Sequence, residues 1–149
     1  MITEPGCWVV DASVGIKLFV PETHSEQADA LFNPLEGAPP DLVVPDLFYA
    51  ECANILWKYV RRFGYPLSEA GKNMAALKEM KLSTVPSALL VEKALELAVR
   101  LEVTAYDACY LALAEDLRAT LVTADEKLLK RLKGRRIQAV WIGDFSKKD

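Results

Sequence analysis

The chain has 149 residues, 52% of them hydrophobic, which is enough for one core and too few for two ordinary domains. Its formal charge of -3 lacks the basic excess usual in nucleic-acid binders, and its single histidine, His24, excludes multi-histidine zinc sites and leaves any serine or cysteine triad dependent on a residue beside a turn. Cys7, Cys52 and Cys109 are odd in number and lie in apolar contexts without metal-binding spacing, so they read as reduced core thiols.

The apolar stretch over residues 7–14 is interrupted by Asp11 and is far shorter than a bilayer span. No basic flank with a cleavage site precedes it, so no membrane association and a cytoplasmic location are expected. In chain order, the patterning predicts a strand over residues 8–10 and helical stretches over 13–19 and 25–32, with Pro21 between them and Thr23 and Glu26 in capping-box positions. A Pro/Gly-rich loop over 33–41 precedes a short strand over 42–44 and a long helix over 46–63 that Gly64 and Pro66 stop. A helix over 68–80, a weak strand over 82–85 and a helix over 88–101 introduced by Pro86-Ser87 come next. Residues 106–114 are apolar all round except for Asp107, which marks a helix surrounded by protein and capped by Thr104. A strand over 120–123, a helix over 125–133 with a Gly134 stop and a strand over 137–141 complete the chain. Strands alternating with helices imply an α/β sandwich with a mostly parallel sheet, and no repeat or second domain is visible, so residues 1–149 read as one domain.

Four carboxylates stand out. Asp11 and Asp125 each follow an apolar run, at the carboxyl end of a predicted strand, where open parallel sheets bind ligands. Glu51 has Leu47, Phe48 and Ile55 one helical turn away and Cys52 adjacent, so its ionised carboxylate needs a cation or donors in place of water. Each acid also has a plainer reading: Asp107 suits a first helical turn, Asp125 a helix cap, and Asp11 a strand-end turn. Four independent caps need not converge, whereas two strand ends, a helix start and a buried helix face on one sheet edge can encircle an ion. Hard oxygen donors without histidine or thiolate suit Mg²⁺ or Mn²⁺, and such a site favours hydrolysis of a phosphodiester.

Setting the four acids aside leaves 17 acidic against 18 basic residues, and the basic ones cluster at Lys127, Lys130, Arg131, Lys133, Arg135 and Arg136 and at Arg61-Arg62. Each cluster reads either as a solvated helix face or as a surface that steers a polyanion. Met74, Met80, Trp8, Trp57 and Trp141 lie on or beside apolar elements and read as core or interface packing rather than base-stacking platforms.

Four segments, in order, give the chain its resemblance: residues 9–13 around Asp11, 45–56 around Glu51, 106–115 around Asp107 and 121–128 around Asp125. Together they resemble the PIN-domain nucleases, especially the VapC-like ribonuclease toxins of type II toxin-antitoxin pairs, over nearly the whole length. The resemblance implies a three-layer α/β/α sandwich around a five-stranded parallel sheet, usually homodimeric. It also implies that Asp11, Glu51, Asp107 and Asp125 bind Mg²⁺ or Mn²⁺ and position an attacking water. Ser13 and Thr123 match small hydroxyl positions beside the acids, though Ser13 equally fits a helix cap and Thr123 a strand residue. Asn54 resembles an amide that orients Glu51 or a neighbouring acid.

The expected activity is metal-dependent, single-strand-preferring endonucleolytic cleavage of RNA by a toxin, with residues 127–136 steering the substrate and a small antitoxin as the cognate partner. The alternative is a catalytically silent module that captures a basic peptide in an acidic groove. A haloacid-dehalogenase phosphatase would need a second aspartate near Asp11, and a receiver domain an acceptor aspartate where Ser83-Thr84-Val85-Pro86 stands.

Overall fold

In a computed structural model, residues 6–21, 23–32 and 41–144 are described. Among these residues five strands, β1 (Cys7–Val10), β2 (Asp41–Pro45), β3 (Ser83–Val85), β4 (Thr120–Thr123) and β5 (Ala139–Trp141), form one sheet in the order β3-β2-β1-β4-β5. Every neighbouring pair is parallel. The helices are α1 (Ala12–Gly15), α2 (Ser25–Phe32), α3 (Leu47–Phe63), α4 (Leu67–Glu79), α5 (Val91–Leu101), α6 (Ala105–Leu117) and α7 (Glu126–Leu132).

Successive strand residues point to opposite faces, yet Trp8, Val9 and Val10 in β1 and Leu121, Val122 and Thr123 in β4 are all buried, so helices cover the sheet on both sides. Right-handed crossovers explain the division. The chain moves outward through β1, β2 and β3 with α1 to α4 on one face, then returns to β4 and β5 with α5 to α7 on the other. Helix α6 crosses β1, β2 and β4 with residues 108–114 wholly buried, and α5 packs on it. The arrangement is the three-layer sandwich expected from the resemblance. A smaller cluster of Ile16, Val20, Leu56 and Ala70 joins the main core through Ile55 and Met74.

Several local expectations shift. The helix expected over 13–19 is a single α turn followed by a 3-10 turn, Ile16–Leu18, and Pro21 bars any continuation beyond it. Helix α2 begins at Ser25, one residue later than a Thr23 cap requires: His24 precedes it at φ 70°, and the Thr23 carbonyl accepts from Lys17 Nζ at 2.8 Å. The helix expected from residue 88 starts as a 3-10 turn, Ser87–Leu89, before α5. Strand β5 is shorter than its apolar run because it is an edge strand with one neighbour. The loop expected over 33–41 falls, apart from Asp41, outside the described residues. Among the aromatic and methionine residues expected to pack, Trp8 is buried and Met74, Met80 and Trp141 border the core, but Trp57 is 55% exposed with the Arg61 guanidinium over its ring. No helix among the described residues is long and apolar enough to cross a membrane.

Close approach of α1 to α3 fixes the entry to the sheet edge. A Cβ on Gly15 would stand 2.7 Å from Cζ of Phe48, a fully buried ring with no room to withdraw. Gly15→Ala should therefore lower the free energy of urea unfolding by about 1–2 kcal/mol despite alanine's better helix propensity, and an unchanged midpoint would show that the contact relaxes freely.

Candidate active site

Strand order reverses between β1 and β4, so the chain leaves these two neighbours toward opposite faces and opens a crevice at their carboxyl ends. A cleft of about 670 Å³ lies there, lined by Asp11, Glu51, Asp107 and Asp125, with Ser13 and Asn54 on its wall. All four acids come from different elements: Asp11 from the end of β1, Glu51 from the second turn of α3, Asp107 from the first turn of α6, and Asp125 from the turn between β4 and α7.

Asp11 is the anchor. Its carboxylate is buried, with Oδ1 accepting from Ser13 Oγ at 2.5 Å and from the Val14 amide at 3.3 Å, and Oδ2 accepting from Thr123 Oγ1 at 2.5 Å. Those two hydroxyls also receive: Ser13 Oγ accepts from the Ala124 amide at 3.1 Å, and Thr123 Oγ1 from the Asp125 amide at 3.0 Å. Ser13 and Thr123 thus tie the end of β1 to the turn that carries Asp125. The Asp125 carboxylate caps α7 by accepting from the Lys127 and Leu128 amides at 3.0 and 3.1 Å. Thr104 caps α6 by accepting from the Asp107 amide at 3.1 Å. The plain readings as caps are compatible with a place on one shared cleft, because the starts of α6 and α7 lie on the edge of the sheet where the cleft opens.

Glu51 is half-buried, and its Oε1 accepts from the Tyr110 hydroxyl at 2.6 Å. Tyr110 was not among the residues singled out from sequence. It lies one helical turn beyond Asp107 on the same face of α6, and a tyrosine on a buried helix needs a partner for its hydroxyl, which is the signal that finds it. Asn54 is exposed on the rim, and Lys58, one turn further along α3, is the one basic side chain lining the cleft among the described residues.

Burial pushes the Asp11 carboxyl up to about 6, with the Asp107 charge adding to it and the bonds from Ser13, Thr123 and Val14 opposing it. Glu51 is raised by burial and then by Asp107, against the Tyr110 hydrogen bond, and Asp107 is raised by burial and then by Asp125, against Thr104. Asp107 is therefore the acid through which the others feel one another. Burial and then Glu51 and Asp11 push the Cys52 thiol up to about 12, which keeps it an inert core group.

Among the described residues, no three acidic, histidine or cysteine side chains stand close enough to enclose a metal ion. The acids share a cleft without forming a closed ligand shell, since Asp11, Glu51 and Asp125 are turned onto hydroxyl and amide donors. Hard oxygens from carboxylates that repel one another suit a cation bound through one or two of them with water completing the shell, as Mg²⁺ prefers.

A family model for the PIN domain matches residues 8–134. The chain belongs to the PIN-domain family. Among curated relatives, it is 38% identical over 125 residues to Ribonuclease VapC3 of Pyrobaculum aerophilum, an alignment covering 83% of this chain and 92% of that protein. Among solved structures, PAE2754 of the same organism superposes with a TM-score of 0.67 at 23% identity, covering 91% of this chain and 83% of that one. A toxin-antitoxin complex from Klebsiella pneumoniae superposes with a TM-score of 0.61 at 21% identity, covering 89% of this chain and 94% of that one. These structural likenesses are likenesses of fold, in keeping with the α/β architecture of this PIN-domain chain.

The raised carboxyl values carry a sign for stability. Folded Asp11 holds its proton up to about pH 6, whereas an unfolded aspartate releases it near 3.8, so its contribution is complete below about pH 4 and is lost as pH rises through 6. The loss is on the order of 3 kcal/mol at 1.36 kcal/mol per pH unit, and Glu51 and Asp107 act in the same direction. Urea titrations in EDTA between pH 4 and 7 should show stability falling with pH and Asp11→Asn flattening the fall; a flat wild-type profile would contradict this account of the cleft.

Proposed function

We propose that this PIN-domain protein is a metal-dependent endoribonuclease that hydrolyses RNA phosphodiester bonds as the toxin of a toxin-antitoxin pair. Its kinship with Ribonuclease VapC3 supports the reaction class. The observation that carries the reading is the convergence of Asp11, Glu51, Asp107 and Asp125, from four separate elements, on one cleft at the switch point of the sheet.

In this reading the four acids hold Mg²⁺ or Mn²⁺, directly or through water. When bound, the cation lowers the pKa of water and offsets charge on the phosphate and the departing oxygen. The protein's share of the work is orientation. Ser13 and Thr123 hold both oxygens of Asp11, Tyr110 fixes Glu51, and helix capping fixes Asp125, so the carboxylates meet the substrate with little freedom left to lose. The four acids together position the attacking water, Asn54 on the rim is the amide that orients Glu51 or a neighbouring acid, and Lys58 meets a phosphate of the RNA strand. One unit of this kind accounts for the chain, working in the cytoplasm.

An antitoxin with a basic side chain suits the acidic cleft, and the toxin-antitoxin complex among the solved structures supports such a partner. A homodimer is supported by Val91, Leu95 and Val99, exposed at intervals of four along one face of α5. Sedimentation should report a dimer that Leu95→Glu converts to monomer; a monomeric wild-type protein refutes the pairing.

The decisive assay incubates mixed RNA with purified protein in Mg²⁺ or Mn²⁺. Asp107→Asn and Asp11→Asn should each reduce cleavage by at least about 100-fold with far-UV circular dichroism unchanged, and EDTA should abolish wild-type cleavage. Wild-type rates in both variants would end the proposal. Tight capture of a basic peptide with no cleavage under any metal would instead favour the silent module.

A further inference from the structure

A second concavity, of about 750 Å³, lies at the opposite edge of the sheet, where β4 and β5 begin, and it is lined by Arg100, Arg118, Arg135 and Arg136. The basic run after Asp125 is thus divided by the fold. Helix α7 carries it away from the acid cleft, so Lys127 stays near Asp125, Arg131 pairs with Glu102 at 2.8 Å, and Arg135 and Arg136 reach the far edge. There they meet Arg118, which follows α6 and is distant in sequence.

Arginines near helix C-termini commonly serve only to offset the helix dipole or to cap carbonyls. Here backbone amides already close those ends. The Arg118 amide donates to the Ala114 and Glu115 carbonyls, the Ala119 amide to Ala114, the Val103 amide to Ala98, and the Arg135 amide to Leu132. Glu115, the one acid in the lining among the described residues, is paired with Lys93 at 2.9 Å, and Arg100 is paired with Glu96. Arg118, Arg135 and Arg136 have no ionic or hydrogen-bond partner for their guanidinium groups among the described residues. Each presents five donors in a planar fork suited to phosphate oxygens. Between them lie Leu97, Leu101, Ala119 and Ile137, an apolar floor on which a base or ribose can rest.

We infer that this arginine-lined pocket is an RNA exosite, which grips the phosphate backbone of the substrate at a point remote from the bond being cut. The inference rests on the ribonuclease reading and extends it: the substrate is an RNA large or folded enough to touch both edges of the sheet. Strands of four residues at ~3.3 Å each separate the edges by about 13 Å before the path around the molecule is added. A fragment of a few nucleotides seated in the acid cleft therefore leaves the pocket empty.

The test compares wild type with the triple variant Arg118→Gln, Arg135→Gln, Arg136→Gln on a folded RNA that the wild type cuts and on a short oligonucleotide carrying the same cleavage point. These side chains line an open surface, and circular dichroism checks that the variant folds. The expected result is a KM raised about tenfold or more on the folded RNA with kcat unchanged, no change on the oligonucleotide, and a log–log salt slope for RNA binding smaller by about 2. Equal RNA affinity and equal salt slope in the variant overturn the exosite, and filter binding reads both whether or not the RNA is cut. Absence of cleavage by the wild type, by contrast, strikes the ribonuclease reading alone. Calorimetry with adenosine monophosphate and pyrophosphate supplies the remaining arm: binding of these in the pocket without any change in RNA affinity would assign it to a free nucleotide and overturn the RNA proposal.

Discussion

A carboxylate buried at the end of the central strand must be answered by donors, and the answer Asp11 receives organises the whole carboxyl edge. Its oxygens accept from Ser13, Val14 and Thr123, and the same two hydroxyls accept from the amides of Ala124 and Asp125. One side chain thereby joins the start of α1, the end of β4 and the start of α7. Without those bonds Asp11 would carry the cost of desolvation alone; with them it remains held in place and still reluctant to ionise.

Glu51 and Asp107 stand half-buried around that anchor, and each, besides losing water, feels a neighbour's charge. Asp107 sits at the centre of this coupling, raising both Asp11 and Glu51 and being raised by Asp125. Such crowding does not serve the stability of the empty fold above the carboxyl range. It concentrates negative potential in one cleft, which a cation relieves, and this physical tension is why the PIN-domain framework and the hydrolytic proposal fit the same residues.

Topology also separates the charges of the molecule. Helices α6 and α7 begin at the carboxyl edge, by the acid cleft, and end at the amino edge, by the second concavity, so acids are favoured at their starts and bases after their ends. Asp11, Asp107 and Asp125 occupy helix starts, while Arg118, Arg135 and Arg136 follow helix ends. A net charge of -3 hides this division completely. A protein acidic in sum can therefore present a basic face to a polyanion and an acidic one to a cation, provided that the two lie on opposite edges.

Much of this was legible in the chain itself. Alternating apolar runs and helical periods specify the β/α order, because strand and helix burial leave different spacings. Asp11, Asp107 and Asp125 announce themselves as charges at element ends, and Glu51 as a charge on an apolar helix face. Local pattern determines where elements start and what each must bury. It does not determine which elements meet. The bond from Tyr110 to Glu51 spans 59 residues and that from Thr123 to Asp11 spans 112, and neither leaves a mark at short range. The basic run after Asp125 read as one surface, yet the direction of α7 divides it and brings its far end to Arg118. Residue type and spacing settle local burial and capping, which are short-range matters; the partners of those residues depend on strand order and crossover hand, which only the closed sheet decides.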